Sequence, residues 1–176
     1  MNRWIALAPL AVLGVLAVLF AGYGLHHDPH VNPAALVGKP VPDVRLPGLD
    51  GGHPVRLKSQ LSGPTFINVF ASWCVPCVVE APALAAMKAQ GARIVGVTWE
   101  DDPAASKRFL AQNGDPFSTV LVDRNGRAGI ELGVSGVPET FLVGANGVIL
   151  AKHSGPLQPE DAEALLDQAQ GGPKPR

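Results

Sequence analysis

The two cysteines of this chain, Cys74 and Cys77, are separated by two residues in the segment 73–77, which reads WCVPC. They follow an apolar run, residues 65–71, that is rich in strand formers, and the residues after Pro76 are typical of a helix. A cysteine at a helix start faces outward-pointing backbone N–H groups and the positive end of the helix dipole, which lowers the thiol pKa and favours the nucleophilic thiolate. A second cysteine one turn later can close a disulfide, and the pair can then carry two electrons by thiol–disulfide exchange.

The two sulfurs are expected to have different roles. Cys74 lies nearer the helix start and is expected to be the more exposed, so we predict that it attacks the substrate, while Cys77 resolves the mixed disulfide. A purely structural disulfide would close a tiny loop and stabilise little. A zinc site would need two further ligands, and the sequence contains no second C-x-x-C pattern. The pattern therefore predicts a redox centre without a metal, and with no cofactor besides the disulfide.

A second informative segment surrounds Pro138, which follows Val137 and precedes an apolar strand. A cis Val137–Pro138 bond would bring the Val137 backbone close to the sulfurs, where it could pair with an extended peptide substrate. A trans proline at a strand entry is the alternative, and the sequence leaves both open. Trp73 is interpreted as a shield beside the sulfurs, with a core side chain as its alternative. Trp73, Val137 and Pro138 form the predicted substrate-binding set.

Three acids flank the predicted centre: Glu80, Glu100 and Glu139. A partly buried carboxylate near a dithiol could relay the proton that Cys77 loses or gains, and it would also raise the thiol pKa values. For each acid taken singly, a solvated surface carboxylate is the more common role. Asn68 is an unexpected amide in an apolar strand, and it needs a hydrogen-bond partner if it is buried.

The first 25 residues form the predicted membrane anchor. Residues 4–25 carry no charge and are long enough to cross a bilayer as a helix, and Arg3 before them places the amino terminus in the cytoplasm. The alternative is a cleaved signal peptide, whose apolar region is normally shorter. Both interpretations export the rest of the chain. Residues 26–36 are predicted to be an exposed linker, whose three histidines lack the fixed geometry of a metal site.

The composition excludes other classes of function. The 14 basic and 15 acidic residues nearly balance, and no basic patch interleaved with aromatic residues is present, so nucleic acid is not an expected partner. Two cysteines cannot build a disulfide framework, so residues 37–169 must form a domain around its own core. Residues 170–176 are expected to be a disordered tail.

The pattern of elements predicts an α/β fold. We predict strands at 65–71, 93–98, 119–122, 140–143 and 148–152, and helices at 75–90, 103–112 and 159–169. Two short strands are expected at the start of the domain, joined by a turn at residues 46–53. This order predicts a central mixed β-sheet with helices on both faces.

These residues together resemble the thioredoxin superfamily, and within it the membrane-anchored cytochrome c biogenesis thiol:disulfide interchange proteins of the CcmG/DsbE type. The matching stretches are VPD at 41–43, TFINVFASWCVPC at 65–77, GVTWEDD at 96–102 and LGVSGVPETFL at 132–142. The resemblance covers residues 37–169, essentially the whole exported domain. Two positions depart from the family pattern: Asn68 stands where thioredoxin has a buried aspartate, and Val137 replaces the alanine common in this subgroup.

The resemblance implies a thioredoxin-like fold in which Pro138 is the cis proline and Cys74 and Cys77 are the redox pair. It implies that Glu80 and Glu139 line the site, and that residues 100–112 belong to an insert. The implied function is that of a periplasmic reductant, anchored by a single span in the bacterial inner membrane. It would reduce the haem-attachment cysteines of apocytochrome c, and a membrane thiol reductase would supply its electrons.

Three alternatives stay open at this point. TlpA-like and ResA-like reductases share nearly all of these motifs. An exported disulfide oxidase or isomerase has a similar fold and differs in redox potential. A non-catalytic module that presents apocytochrome or haem to an assembly complex would not need the cysteines to react.

Overall fold

The computed structural model describes residues 3–24 and 36–171. The chain divides into two units, Met1–Val31 and Asn32–Arg176. In the first unit, helix α1 covers Arg3–Gly24. Among the described residues, no helix meets the length and apolarity needed for a membrane span. The anchor therefore stays a prediction, and most of the predicted linker and tail, at 25–35 and 172–176, lies outside the described residues.

The described part of the second unit alternates strands and helices. The strands are β1 (Arg45–Gly48), β2 (Gly51–Arg56), β3 (Thr65–Phe70), β4 (Ile94–Trp99), β5 (Thr119–Asp123), β6 (Glu139–Val143) and β7 (Ile149–Ser154). The helices are α2 (Val75–Ala89), α3 (Pro103–Asn113), α4 (Arg127–Glu131) and α5 (Pro159–Ala169), with a short 3-10 helix at Leu57–Gln60.

All seven strands join one mixed sheet in the order β2-β1-β5-β4-β3-β6-β7. The central strands β3, β4 and β5 are parallel, and β1, β6 and β7 pair antiparallel with their neighbours. Every residue of β3 is buried, as expected for a strand covered on both faces. Because β3, β4 and β5 run in parallel, the loops that follow them open at the same edge of the sheet.

The sheet separates two hydrophobic clusters, and the alternation of side chains along β3 assigns residues to each side. Phe66 and Phe70 face one cluster, which also takes side chains from α2, α3 and α5. Ile67 and Val69 face the other, which includes residues of α4 and of the chain before β1. The predicted thioredoxin-like fold, a mixed sheet with helices on both faces, is confirmed.

The first hairpin differs from its prediction. The turn is much shorter than residues 46–53, because β1 continues to Gly48 and β2 already begins at Gly51. Gly51 and Gly52 have φ of +88° and +97°, a conformation that glycine adopts at little cost. Turn-forming residues lie within β1 and β2 here. The residue composition therefore predicts a longer turn than the structure has.

Helix α4 is not predicted by the sequence pattern. Its five residues are too few to show a helical period, and the NG pair before it indicates only a turn. Gly126, with φ of +71°, ends that turn and starts the helix.

Candidate active site

Cys74 and Cys77 form a disulfide at the start of α2, directly after the loop that leaves β3. Cys74 is the N-cap residue of the helix, in an extended backbone conformation, and its Sγ accepts a hydrogen bond from the Cys77 N–H at 3.2 Å. A backbone donor aimed at this sulfur, together with the positive end of the helix, stabilises a Cys74 thiolate. The geometry therefore supports Cys74 as the attacking sulfur.

The expected difference in exposure between the two cysteines is wrong. In the disulfide both residues are buried, Cys74 at 4% and Cys77 at 3% exposure. They differ in position instead, because the Cys74 sulfur caps the helix while Cys77 lies inside its first turn. The sequence pattern identifies the helix start but not the packing of the side chains around it.

Trp73 is 57% exposed, so it is not a core side chain. Its ring contacts that of Trp99 at the end of β4, with 6.3 Å between centroids. Val75, Val78 and Val79 on the first turns of α2 are also exposed. The residues next to the cysteines in the chain therefore expose apolar side chains, and the predicted role of Trp73 in substrate binding stays a prediction.

The Val137–Pro138 peptide bond is cis, as the family resemblance implies. Strand β6 runs antiparallel to β3, and its first residue, Glu139, pairs with Val69 near the end of β3. The segment before β6 therefore lies at the same edge of the sheet as the loop before Cys74. Val137 packs against the hydrophobic cluster that contains both cysteines. This places Val137 and Pro138 beside the redox pair, and their contact with substrate stays a prediction.

Glu80 is a buried carboxyl, 1% exposed, and not the surface group that its sequence context favours. Its Oε1 accepts from Asn68 Nδ2 at 2.9 Å, and its Oε2 accepts from the Leu157 N–H at 3.1 Å. Burial raises the pKa of Glu80 from 4.5 to about 7, although both hydrogen bonds act to lower it. Asn68, the unexpected amide, also donates to Thr140 Oγ1 at 3.0 Å. Glu80, Asn68 and Cys77 line one small recess.

Glu139 is also buried, at 1% exposure, so the surface interpretation is wrong for it as well. It forms a buried ion pair with Lys152 of β7, with 2.9 Å between Oε2 and Nζ. Its Oε1 accepts from the Ser135 hydroxyl at 2.6 Å, and the Lys152 ammonium donates to the Gly133 carbonyl at 2.9 Å. These contacts join β6 and β7 to the segment that leads to Pro138. The proton-relay role predicted for Glu139 stays untested.

Glu100 is exposed, as the surface interpretation expects, and has a left-handed backbone φ of +49°. The next residue, Asp101, is the acid that sequence reasoning missed: it is 6% exposed and accepts hydrogen bonds from Ser72, two residues before Cys74. In the sequence, only its place in the family motif at residues 96–102 points to Asp101. An Asp-Asp-Pro run otherwise indicates a helix start, and Asp102 does cap α3.

The part of the chain that the structure describes contains no group of three or more His, Cys, Asp or Glu side chains placed to hold a metal ion. The three histidines of the predicted linker lie outside it.

A disulfide at a helix start, beside a cis proline and on a sheet of this topology, defines a thiol:disulfide oxidoreductase of the thioredoxin-like class. The redoxin family matches residues 36–168, and the chain belongs to this family.

Within the class, the chain is of the DsbE type. It is 39% identical over 165 residues to the thiol:disulfide interchange protein DsbE of Escherichia coli K12, covering 90% of this chain and 89% of that protein. It is 38% identical over 170 residues to the thiol:disulfide interchange protein HelX of Rhodobacter capsulatus, covering 93% and 97%. The crystal structure of a DsbE from Chlorobium tepidum matches with a TM-score of 0.67 and 34% identity, over 77% of this chain and 96% of that one.

Proposed function

We propose that this protein is a periplasmic reductant in cytochrome c maturation, which reduces the haem-attachment cysteines of apocytochrome c. The observation that best supports this proposal is that Cys77 and Glu80 line the same recess. A carboxyl with a pKa of about 7 can take and return a proton near neutral pH, so Glu80 is suited to exchange a proton with Cys77. The similarity to DsbE and HelX proteins, and the motifs at 65–77 and 132–142, support the pathway.

The proposed reaction has two exchange steps. The Cys74 thiolate attacks one sulfur of the substrate disulfide, forming a mixed disulfide and releasing the other substrate sulfur as a thiolate, which takes up a proton from solvent. Cys77 then gives its proton to the Glu80 carboxylate and attacks Cys74 Sγ. This breaks the mixed disulfide and releases the second substrate sulfur as a thiolate, which is protonated in turn. The substrate gains two electrons, and Cys74 and Cys77 return to the disulfide.

The residues between the cysteines support a reductant. Val75 and Pro76 are uncharged, so no histidine cation over-stabilises the thiolate as it would in a strong oxidant. We expect a reduction potential well below that of an oxidase, to be measured by equilibration with glutathione or dithiothreitol buffers. A value near about −120 mV would contradict the proposal and favour the oxidase alternative.

Trapping in cells tests the partners. A Cys77→Ser variant cannot resolve its mixed disulfide, so we expect apocytochrome c to accumulate on Cys74, together with a membrane thiol reductase that supplies electrons. The double variant Cys74→Ser/Cys77→Ser is the matched control and should carry no adduct. If a Cys74→Ser chain supported normal cytochrome c assembly, a non-catalytic presenting module would replace this proposal.

We also propose that the redox domain lies in the periplasm and is held at the inner membrane by a single span at residues 4–25. The support is in the sequence, where this stretch carries no charged side chain and follows Arg3. We expect the full-length protein in the membrane fraction, resistant to alkaline extraction. A smaller protein recovered from the periplasmic fluid would instead indicate a cleaved signal peptide.

A further inference from the structure

The buried carboxylate of Asp101 makes a set of contacts that the redox chemistry above does not use. Its two oxygens accept from the Ser72 N–H, the Ser72 hydroxyl and the Ser106 hydroxyl, each at 2.7 Å, and from the Asp102 N–H at 2.9 Å. All four donors are neutral, and within the described part of the chain no ion pair involves Asp101. A buried anion held by several short hydrogen bonds fixes the groups that donate them.

These contacts connect two elements across the edge of the sheet. Ser72 lies in the loop between β3 and α2, where the Cys74 N–H donates to the Ala71 carbonyl at 3.2 Å. Ser106 lies in the first turns of α3. The Asp101 carboxylate therefore joins the start of α3 to Ser72, two residues before Cys74.

We propose that Asp101 is a positioning residue for thiol–disulfide exchange, which holds Ser72 so that the Cys74 sulfur stays at the start of α2. Asp101 acts through Ser72 and not on the sulfurs directly. In this position Cys74 Sγ receives the Cys77 N–H, the donor that stabilises its thiolate. The proposal rests on the oxidoreductase class of the protein and is independent of the substrate.

A carboxylate close to a thiol can act in two ways, and these have opposite signs. As a negative charge alone it disfavours the thiolate, so neutralising it would make Cys74 easier to deprotonate. As a positioning group it favours the thiolate indirectly, so neutralising it would loosen the loop and make Cys74 harder to deprotonate. Removal of the charge therefore distinguishes the two roles by direction.

The test is the Asp101→Asn variant of the full chain in its reduced form. We expect the pH midpoint of Cys74 alkylation by iodoacetamide to move upward, and the rate with a small aromatic disulfide to fall about tenfold at neutral pH. The size corresponds to the loss of one hydrogen bond to a charged group, which is worth about a tenfold effect or more. A small disulfide reports the thiolate itself, without contributions from substrate docking.

Asp102→Asn is the matched control. It removes the same charge one residue away and keeps a side chain that caps α3 well, but Asp102 has no contact with Ser72. We expect its alkylation midpoint and its rate to equal those of the unchanged protein. Ser106→Ala, which removes one neutral donor, should shift the midpoint in the same direction as Asp101→Asn by a smaller amount.

Three outcomes would overturn the proposal. One is a downward shift of the midpoint in Asp101→Asn, which would indicate a charge effect alone. Another is an equal effect of Asp101→Asn and Asp102→Asn. The third is a loss of stability in denaturant with no change in the midpoint, which would indicate a structural role only. If Asp101→Asn does not fold, Ser72→Ala and Ser106→Ala decide the matter, since a midpoint unchanged in both would equally refute it.

Discussion

At the scale of single residues, the ionisation of Glu80 is the property with the most direct consequence for stability. Its pKa is about 7 in the folded protein against 4.5 ordinarily, and the physical cause is burial. Between pH 4.5 and about 7, Glu80 is therefore largely protonated in the folded state and largely deprotonated in the unfolded state. The Glu80 contribution to stability is fully present below pH 4.5 and is lost as the pH rises to about 7.

We predict that Glu80→Gln removes this dependence on pH. The free energy of unfolding of the unchanged protein, relative to the variant, should fall by about 3 kcal/mol between pH 4.5 and about 7, as expected for a shift of this size. The measurement is urea unfolding of both oxidised proteins across this range, in which other titrating groups cancel in the difference. Parallel curves for the two proteins would show that Glu80 titrates normally.

The residue scale also shows how far the sequence predicts the site. Only two residues separate Cys74 from Cys77 in the chain, so their spacing and the following helix are sufficient to identify them. The burial of Glu80 depends on Leu157, which lies 77 positions away and donates to its carboxylate. The burial of Glu139 depends on Lys152 in the next strand, with which it forms an ion pair. Contacts between distant segments leave no local pattern, so both acids looked like surface groups.

At the scale of elements, the ion pair between Glu139 and Lys152 ties β6 and β7 to the segment before Pro138. Both side chains are almost fully buried, at 2% and 0% exposure. We predict that Lys152→Met lowers the free energy of unfolding by about 3–5 kcal/mol, because it leaves a buried carboxylate without its countercharge. Denaturant unfolding at neutral pH measures the change.

The double variant Glu139→Gln/Lys152→Met is the control for that prediction. Neutral side chains at both positions remove the unpaired charge, so we expect the double variant to recover a large part of the loss. If the loss of unfolding free energy in the double variant equalled the sum of the losses in the two single variants, the two residues would stabilise the fold independently and not as a pair.

A second consequence at this scale concerns α4, which packs closely on β4 through Gly129. A Cβ at this position would lie 2.6 Å from Trp99 Nε1 and 2.7 Å from its Cδ1. We predict that Gly129→Ala destabilises the protein by about 1–3 kcal/mol, since Trp99 must move to accommodate it. Gly136→Ala is the matched control because nothing lies within 4 Å of its added Cβ. Equal stability of the two variants would contradict this packing.

The accuracy with which the sequence predicts a helix depends on the length of that helix. Helix α5 begins and ends at the predicted residues, and α2 and α3 agree to within one residue at each end. These helices have proline near their first turn and enough length to show a period. Helix α4 and the 3-10 helix at Leu57–Gln60 each have fewer than two turns, which is too short for a repeating pattern, and tertiary packing determines them.

At the scale of the whole molecule, the fold collects the site at one edge of its sheet. The loop after β3 carries Cys74, the loop after β4 carries Asp101, and β6 begins there just after Pro138. Open α/β sheets place functional groups at the carboxyl ends of their parallel strands for this reason. The motifs at 65–77, 96–102 and 132–142 lie far apart in the sequence, yet they meet because the strands that precede or follow them are neighbours.

The position of the hydrophobic core predicts that the redox domain folds without the amino-terminal unit. All members of both hydrophobic clusters in the described structure lie at residue 36 or later, so the second unit buries a core of its own. We predict that deleting residues 1–31 leaves the unfolding midpoint and the rate with a small disulfide unchanged, while membrane association is lost. Denaturant unfolding, stopped-flow kinetics and fractionation of cells measure these three properties. A truncated protein that stayed with the membrane would place the attachment in the redox domain, and one that unfolded more easily would show that the first unit contributes to its stability.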